Sequence, residues 1–197
     1  GSLSAFCNFN RDQLAVIISN PTLSTALDEA IAEVRKGRRI VRITGPSHSA
    51  RALVVTALQK ATGKRIAYLT LKNRDLEDLE ADFRFFFRLY SPELQDPVFT
   101  LPASESDPYS GLSPHAELLE KRALALWRLA NQDGEVVLLT ARSLMQRFMP
   151  PSETRAATVV LKPGDEFSIQ YLIDHLASVG YVRSDPVTTF GDFSSRG

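Results

Sequence analysis

The sequence predicts an α/β fold built on a parallel sheet. β-branched runs alternate with stretches of helical period, those stretches are long enough to cross over a sheet, and a glycine-bearing loop joins the first run to the next helix. In residues 22–36, Leu23, Ala26, Leu27, Ala30, Ile31 and Val34 recur at spacings of three and four. Asp28, Glu29 and Glu33 fall between them, so the stretch reads as an amphipathic helix, stopped at Gly37. Residues 39–44 (R-I-V-R-I-T) read as a strand, 48–62 as a helix ended by Gly63, and 65–71 (R-I-A-Y-L-T-L) as the next strand. Asn73 is expected to cap a helix carrying Leu76, Leu79, Phe83, Phe86 and Phe87, and 98–101 to form a short strand. Residues 101–114 hold Pro102, Pro108, Gly111 and Pro114 and read as a linker.

Beyond it, Ser113 or a neighbour is expected to cap a long helix over 114–130, with Leu118, Leu119, Arg122, Leu126, Trp127 and Leu129 near one face. Residues 135–140 (E-V-V-L-L-T) read as a buried strand and 142–148 as a short helix, broken by Pro150-Pro151. A strand over 156–161, a Lys162-Pro163-Gly164-Asp165 turn and a helix begun by Ser168 follow. Strands over 181–183 and 188–193 close the chain.

With 197 residues the chain can bury roughly 70% of its extended surface, enough for one large domain or two small ones. Its 23 basic and 23 acidic side chains cancel, so no whole-molecule field draws it to nucleic acid or anionic lipid, and such binding would need a local patch. Cys7 is the single cysteine, which excludes an internal disulfide and a cysteine-based zinc site and suits a reducing cytoplasm. His48, His115 and His175 lie far apart and do not suggest a metal site. A secretory signal and a membrane-spanning run are both missing from the sequence, so a cytoplasmic location is expected. Gly1-Ser2 reads as a cloning remnant, and the end at Arg196-Gly197 as a cut within a longer chain.

The loop at 43–53 sits where a phosphate-binding loop would. In G-x-x-x-x-G-K-[ST], backbone amides cradle phosphates, the lysine reaches the outer phosphates and the hydroxyl holds magnesium. Gly45 is kept, but Ala50 stands for the second glycine, Arg51 for the lysine and Ala52 for the hydroxyl residue. The expectation is a scaffold without cofactor, metal or catalytic residues. A nucleotide hydrolase using Arg51 in place of lysine is the enzymatic rival, and a nucleic-acid-binding fragment using Arg35, Lys36, Arg38 and Arg39 is the second.

Other clusters have plain structural readings. Phe83, Phe86, Phe87 and Tyr90 form one apolar stripe at helical spacing, better suited to a core than to stacking bases. Asp75, Glu77, Asp78, Glu80 and Asp82 read as a solvated face near a helix start. Ser47, His48 and Ser49, and likewise Ser113 to His115, are mere sequence neighbours rather than a nucleophile with its base and orienting group.

Several blocks, taken in order, carry a resemblance: residues 101–115 (L-P-A-S-E-S-D-P-Y-S-G-L-S-P-H), Leu144-Met145-Gln146-Arg147, Lys162-Pro163-Gly164-Asp165, Gly180-Tyr181 and 191–197 (G-D-F-S-S-R-G). From about residue 39 to the end, the chain resembles the amino-terminal region of the bacterial transcription-repair coupling factor. That family reads P-A-W-E-x-L-P-Y-E-G-L-S-P-H, x-L-x-Q-R and G-E-F-x-x-R-G at these places. Ser104 stands where tryptophan is usual and Asp107 where leucine is. The region is also similar to UvrB, the damage-verifying protein of the nucleotide excision repair excinuclease, which has an intact phosphate loop and a long aromatic hairpin, both missing here.

The resemblance implies a helicase-like remnant of a phosphate-loop domain over 1–108, an inserted α+β interaction domain over 109–188, and the start of a return to the first domain over 189–197. It implies binding to the excinuclease protein UvrA, and so recruitment of repair to a stalled RNA polymerase. Arg196 matches the arginine of the R-G pair and Arg183 a second contact arginine of the UvrB family, while Ser194 replaces an arginine there. RNA polymerase and duplex DNA, and ATP-driven translocation, are expected of other domains of a full-length protein; no membrane partner is implied.

Overall fold

The computed structural model describes residues 21–104, 116–189 and 191–195. They fall into two compact units, one of 21–66 with 82–95, the other of 67–81 with 96–104 and the described residues from 116 onward.

The first unit holds helices α1 (Pro21–Arg35) and α2 (His48–Thr62) and the later turns of α3 (Arg74–Tyr90). Gly37 and Gly63 end α1 and α2 at φ of 79° and 63°, a region open to glycine without steric cost. The Gly63 amide donates to the Gln59 carbonyl at 2.7 Å. Ala52, Leu53, Val54, Thr56 and Gln59 of α2 are buried, as is Ala30 of α1. Phe83 and Phe87 are 0% and 1% exposed while Phe85 is 45% exposed, so the aromatic stripe faces a core and Phe83 and Phe87 are closed to any base.

The second unit contains strands β1 (Ile66–Thr70, of which 67–70 belong here), β2 (Val98–Leu101) and β3 (Val136–Thr140), ordered β1-β3-β2. β2 and β3 run parallel, with Val98 opposite Val136 and Leu101 opposite Leu139. A parallel pair needs a crossover, and α4 (Ala116–Asn131) lies between them in sequence and packs on β2. Phe99, Leu101, Ala125 and Leu139 form a buried cluster, with Leu126, Val137 and Phe148 packed against it. The short helices α5 (Ala141–Leu144) and α6 (Pro151–Ala156) follow, and α6 lies against α4. α7 (Ile169–Ser178), β4 (Val182–Arg183) and β5 (Asp192–Phe193) complete the described chain.

Four sequence expectations need correction. Residues 39–44 and 157–161 form no strand: a β ladder needs a neighbour to accept its amides, and no strand lies alongside them among the described residues. Ile40 is left 86% exposed. The expected helix over 142–148 shortens to the four residues of α5, and the strands expected over 181–183 and 188–193 are two residues each. On α4, Leu119 and Leu129 face solvent, whereas Ala125 and Arg128 are buried. Cys7, His115, most of the linker, Arg196 and Gly197 lie outside the described residues. Among those described, no helix is long and apolar enough to cross a membrane.

Arg128 is the buried cation of this unit. Its Nη1 donates to Asp96 Oδ2 at 2.6 Å, and its guanidinium sits 4.6 Å from the Phe99 ring centre. Nε lies 3.1 Å from Asp133 Oδ2, close enough for ion pairing but not aligned as a hydrogen bond.

Candidate functional site

Three motif residues share one task. The Asn73 side chain both donates to the Ala103 carbonyl and accepts from its amide, each at 2.9 Å. Gln146, from the L-M-Q-R block, accepts from the Ser104 amide at 3.3 Å, and Arg122 donates to the Pro102 carbonyl. Backbone groups leaving β2 have no ladder to join, so these side chains satisfy them and fix the direction in which the chain enters the linker. The preceding turn is secured by a capping box, in which Thr140 and Ser143 exchange side-chain and backbone hydrogen bonds. These motif positions are therefore structural clamps rather than reacting groups.

In the first unit, the loop before α2 can be compared with a phosphate grip residue by residue. Gly45 takes φ of 94°, and nothing lies within 4 Å of where a Cβ would stand. Ser47 occupies the N-cap position without a side-chain cap hydrogen bond. Arg51 is exposed, Ala50 half-buried, and Ala52 is 0% exposed. Position 52 thus offers neither an oxygen for a metal nor access to one. No group of three or more His, Cys, Asp or Glu that could hold a metal ion occurs among the described residues.

In the second unit, Arg183 stands on β4, which pairs parallel with β5 in the register Val182 to Asp192 and Arg183 to Phe193. Two residue pairs cannot define an edge unaided. The missing support is Asp192: its Oδ2 accepts from the amides of Thr188 and Thr189 at 3.2 and 3.1 Å and from the Thr188 hydroxyl at 3.3 Å. Gly191, at φ of 91°, lets the chain turn into β5. Arg183 Nη2 then reaches the carbonyl of Ser195, the residue before Arg196, at 3.3 Å. Beside this edge is an open groove of about 970 Å³ whose lining includes Leu119 and Leu124 of α4, Tyr181, Val187 and Asp192. The sequence reading missed Asp192, although a glycine followed by aspartate three residues after a threonine pair is a recognisable turn signal.

The Thr188 amide, then that of Thr189, holds the Asp192 carboxyl below its ordinary value of 3.8. A carboxyl whose folded value is depressed stabilises the turn above its unfolded pKa and loses that contribution as pH falls through the folded value. Acidification should therefore release the Thr188 and Thr189 amides with a midpoint below 3.8, read from their chemical shifts. A midpoint at or above that value would show the clamp is not formed.

No protein-family model matches the chain. Curated relatives do. A transcription-repair-coupling factor of Myxococcus xanthus is 30% identical over 170 residues, covering 86% of this chain and 14% of that protein. One from Mycobacterium tuberculosis is 33% identical over 156 residues, covering 76% of this chain and 12% of the relative. The UvrABC system protein B of Thermosipho africanus is 21% identical over 184 residues, or 87% of this chain and 27% of that protein.

Fold and relatives together define a mixed α/β region of a repair-related protein. More particularly, the chain is similar to the amino-terminal region of the transcription-repair coupling factor, a region itself similar to UvrB. It spans about one seventh of the length of the coupling factors it matches.

Proposed function

We propose that this chain is a non-catalytic recruitment module: it binds the excinuclease protein UvrA through its second unit and so brings nucleotide excision repair to a stalled RNA polymerase. The observation that carries the reading is the β4–β5 edge, where Arg183 hydrogen-bonds the carbonyl of the residue preceding Arg196. Guanidinium groups present a rigid donor fork, suited to carboxylates at an interface. The relatives' names, coupling factor and UvrABC protein, support a place in excision repair. The domain layout belongs to the same proposal, with a degenerate phosphate-loop, helicase-like part over 1–108 and an inserted interaction part over 109–188. ATP-driven translocation, RNA polymerase and DNA would belong to the rest of a longer protein.

Calorimetric titration with UvrA tests the reading. Arg196→Ala should weaken binding by about 2 kcal/mol, roughly 30-fold, as expected of an interface hot spot, and Arg183→Ala should weaken it less because part of its donor capacity is already engaged by Ser195. Unchanged affinity in the double variant would remove the proposal. The enzymatic rival is separated by heating the chain with ATP and magnesium. Occupancy at a hundred times the dissociation constant would add about 2.7 kcal/mol of stability, and the expected result is no shift.

A further inference from the structure

The first unit carries a compact basic surface where α1 and α2 end. Arg35 Nη2 donates to the Ala61 carbonyl at 2.6 Å, which ties the last turn of α1 to the last turn of α2. Two segments distant in sequence are thereby brought together: Arg35, Lys36, Arg38 and Arg39 on one side, Lys64 and Arg65 on the other. Within positions 33–39 and 61–65 the only acid is Glu33. It is shared by Lys36 at 2.7 Å and Arg38 at 2.8 Å, and those hydrogen bonds, Lys36's first, hold its carboxyl below the usual value. One carboxylate thus serves two cations. Arg39 and Lys64 are exposed, and their side chains have no ion pair or hydrogen bond among the described residues. The two helix ends contribute about half a negative charge each, too little to neutralise six cations.

From this juxtaposition we propose that the α1–α2 end of the first unit binds the phosphate backbone of duplex DNA. The choice of ligand follows from what the patch contains and lacks. Clustered guanidinium and ammonium groups displace the counterions condensed on a duplex, whose charge density is high and regularly spaced. Single strands are gripped by stacking bases on aromatic rings, and neither segment has an aromatic residue. No polar side chain here is arranged to read base edges, so the contact is with phosphates and independent of sequence. The balanced charge of the whole chain does not oppose this, because screening limits the field to about 10 Å at ordinary ionic strength.

Fluorescence anisotropy of a short labelled duplex, titrated with the full chain at several salt concentrations, tests the inference. With about four phosphates neutralised, log affinity should fall against log salt with a slope near −3.6, about 150-fold between ~50 and ~200 mM. Arg39→Glu with Lys64→Glu removes two cations that hold no folded-state contact, so melting should be unchanged while the slope falls to about −1.8 or weaker. Arg183→Glu, in the other unit, should leave the slope as it was. An unaltered slope in the double charge reversal would overturn the proposal. So would equal displacement of the duplex by polyglutamate, which would assign the patch to an acidic protein, or tighter binding of the single strand.

Discussion

Phe83→Ala is expected to destabilise the first unit by about 3–5 kcal/mol, the range for emptying an aromatic site in a closed core. Phe83 is one of the largest side chains sealed from solvent, and its neighbour one turn on, Phe87, is sealed too. Neither cavity wall can relax by admitting water, since an apolar void offers water no partners. The cost combines lost transfer energy with lost dispersion contacts. Phe85→Ala is the matched control: that ring is half exposed and meets Phe86 edge-on at 5.2 Å, so its removal should cost well under the same amount. Urea unfolding monitored by circular dichroism measures both. Equal costs at 83 and 85 would mean that the aromatic stripe does not face a core.

Gly134→Ala should cost about 2–4 kcal/mol, from two independent causes. The residue sits at φ of 84°, where an L side chain is strained. A Cβ there would also lie 2.9 Å from Phe99 Cε1 and 3.1 Å from Arg128 Nη2, inside the contact distance of both. Arg128 cannot simply swing away. It is buried, paired with Asp96 and stacked on Phe99, and moving it would unmake that arrangement. Gly45→Ala is the comparison that separates the causes: it shares the positive φ but has open space around the new methyl, so it should show the backbone strain alone. Thermal unfolding of the two variants decides it. A loss at Gly134 no larger than that at Gly45 would show that Phe99 and Arg128 yield without cost.

The motif series in the linker and beyond it was legible because its residues perform local jobs. Gln146 and Asn73 satisfy backbone groups that β2 leaves open, and such a task requires a particular side chain at a particular place. Arg128 was not legible, since nothing in the pattern of α4 distinguishes a buried, paired arginine from a solvated one until Asp96 and Asp133 are beside it. Arg183 could be named from its resemblance, but the Asp192 turn that seats it next to Ser195 emerged only from the fold.

What the sequence alone determined is the succession of helices, the glycine stops and the loss of the lysine and hydroxyl from the phosphate-loop position, because each depends on side chains within a turn or two. The tertiary structure decided which β-branched runs become strands, which face of α4 is buried, and that the basic ends of α1 and α2 meet. Residues 39–44 have the composition of a strand and 136–140 are one, and the difference is a neighbouring chain to receive their hydrogen bonds. Helical period is a property of one segment, whereas strand pairing and charge clustering are properties of two, and no single stretch of sequence contains both partners.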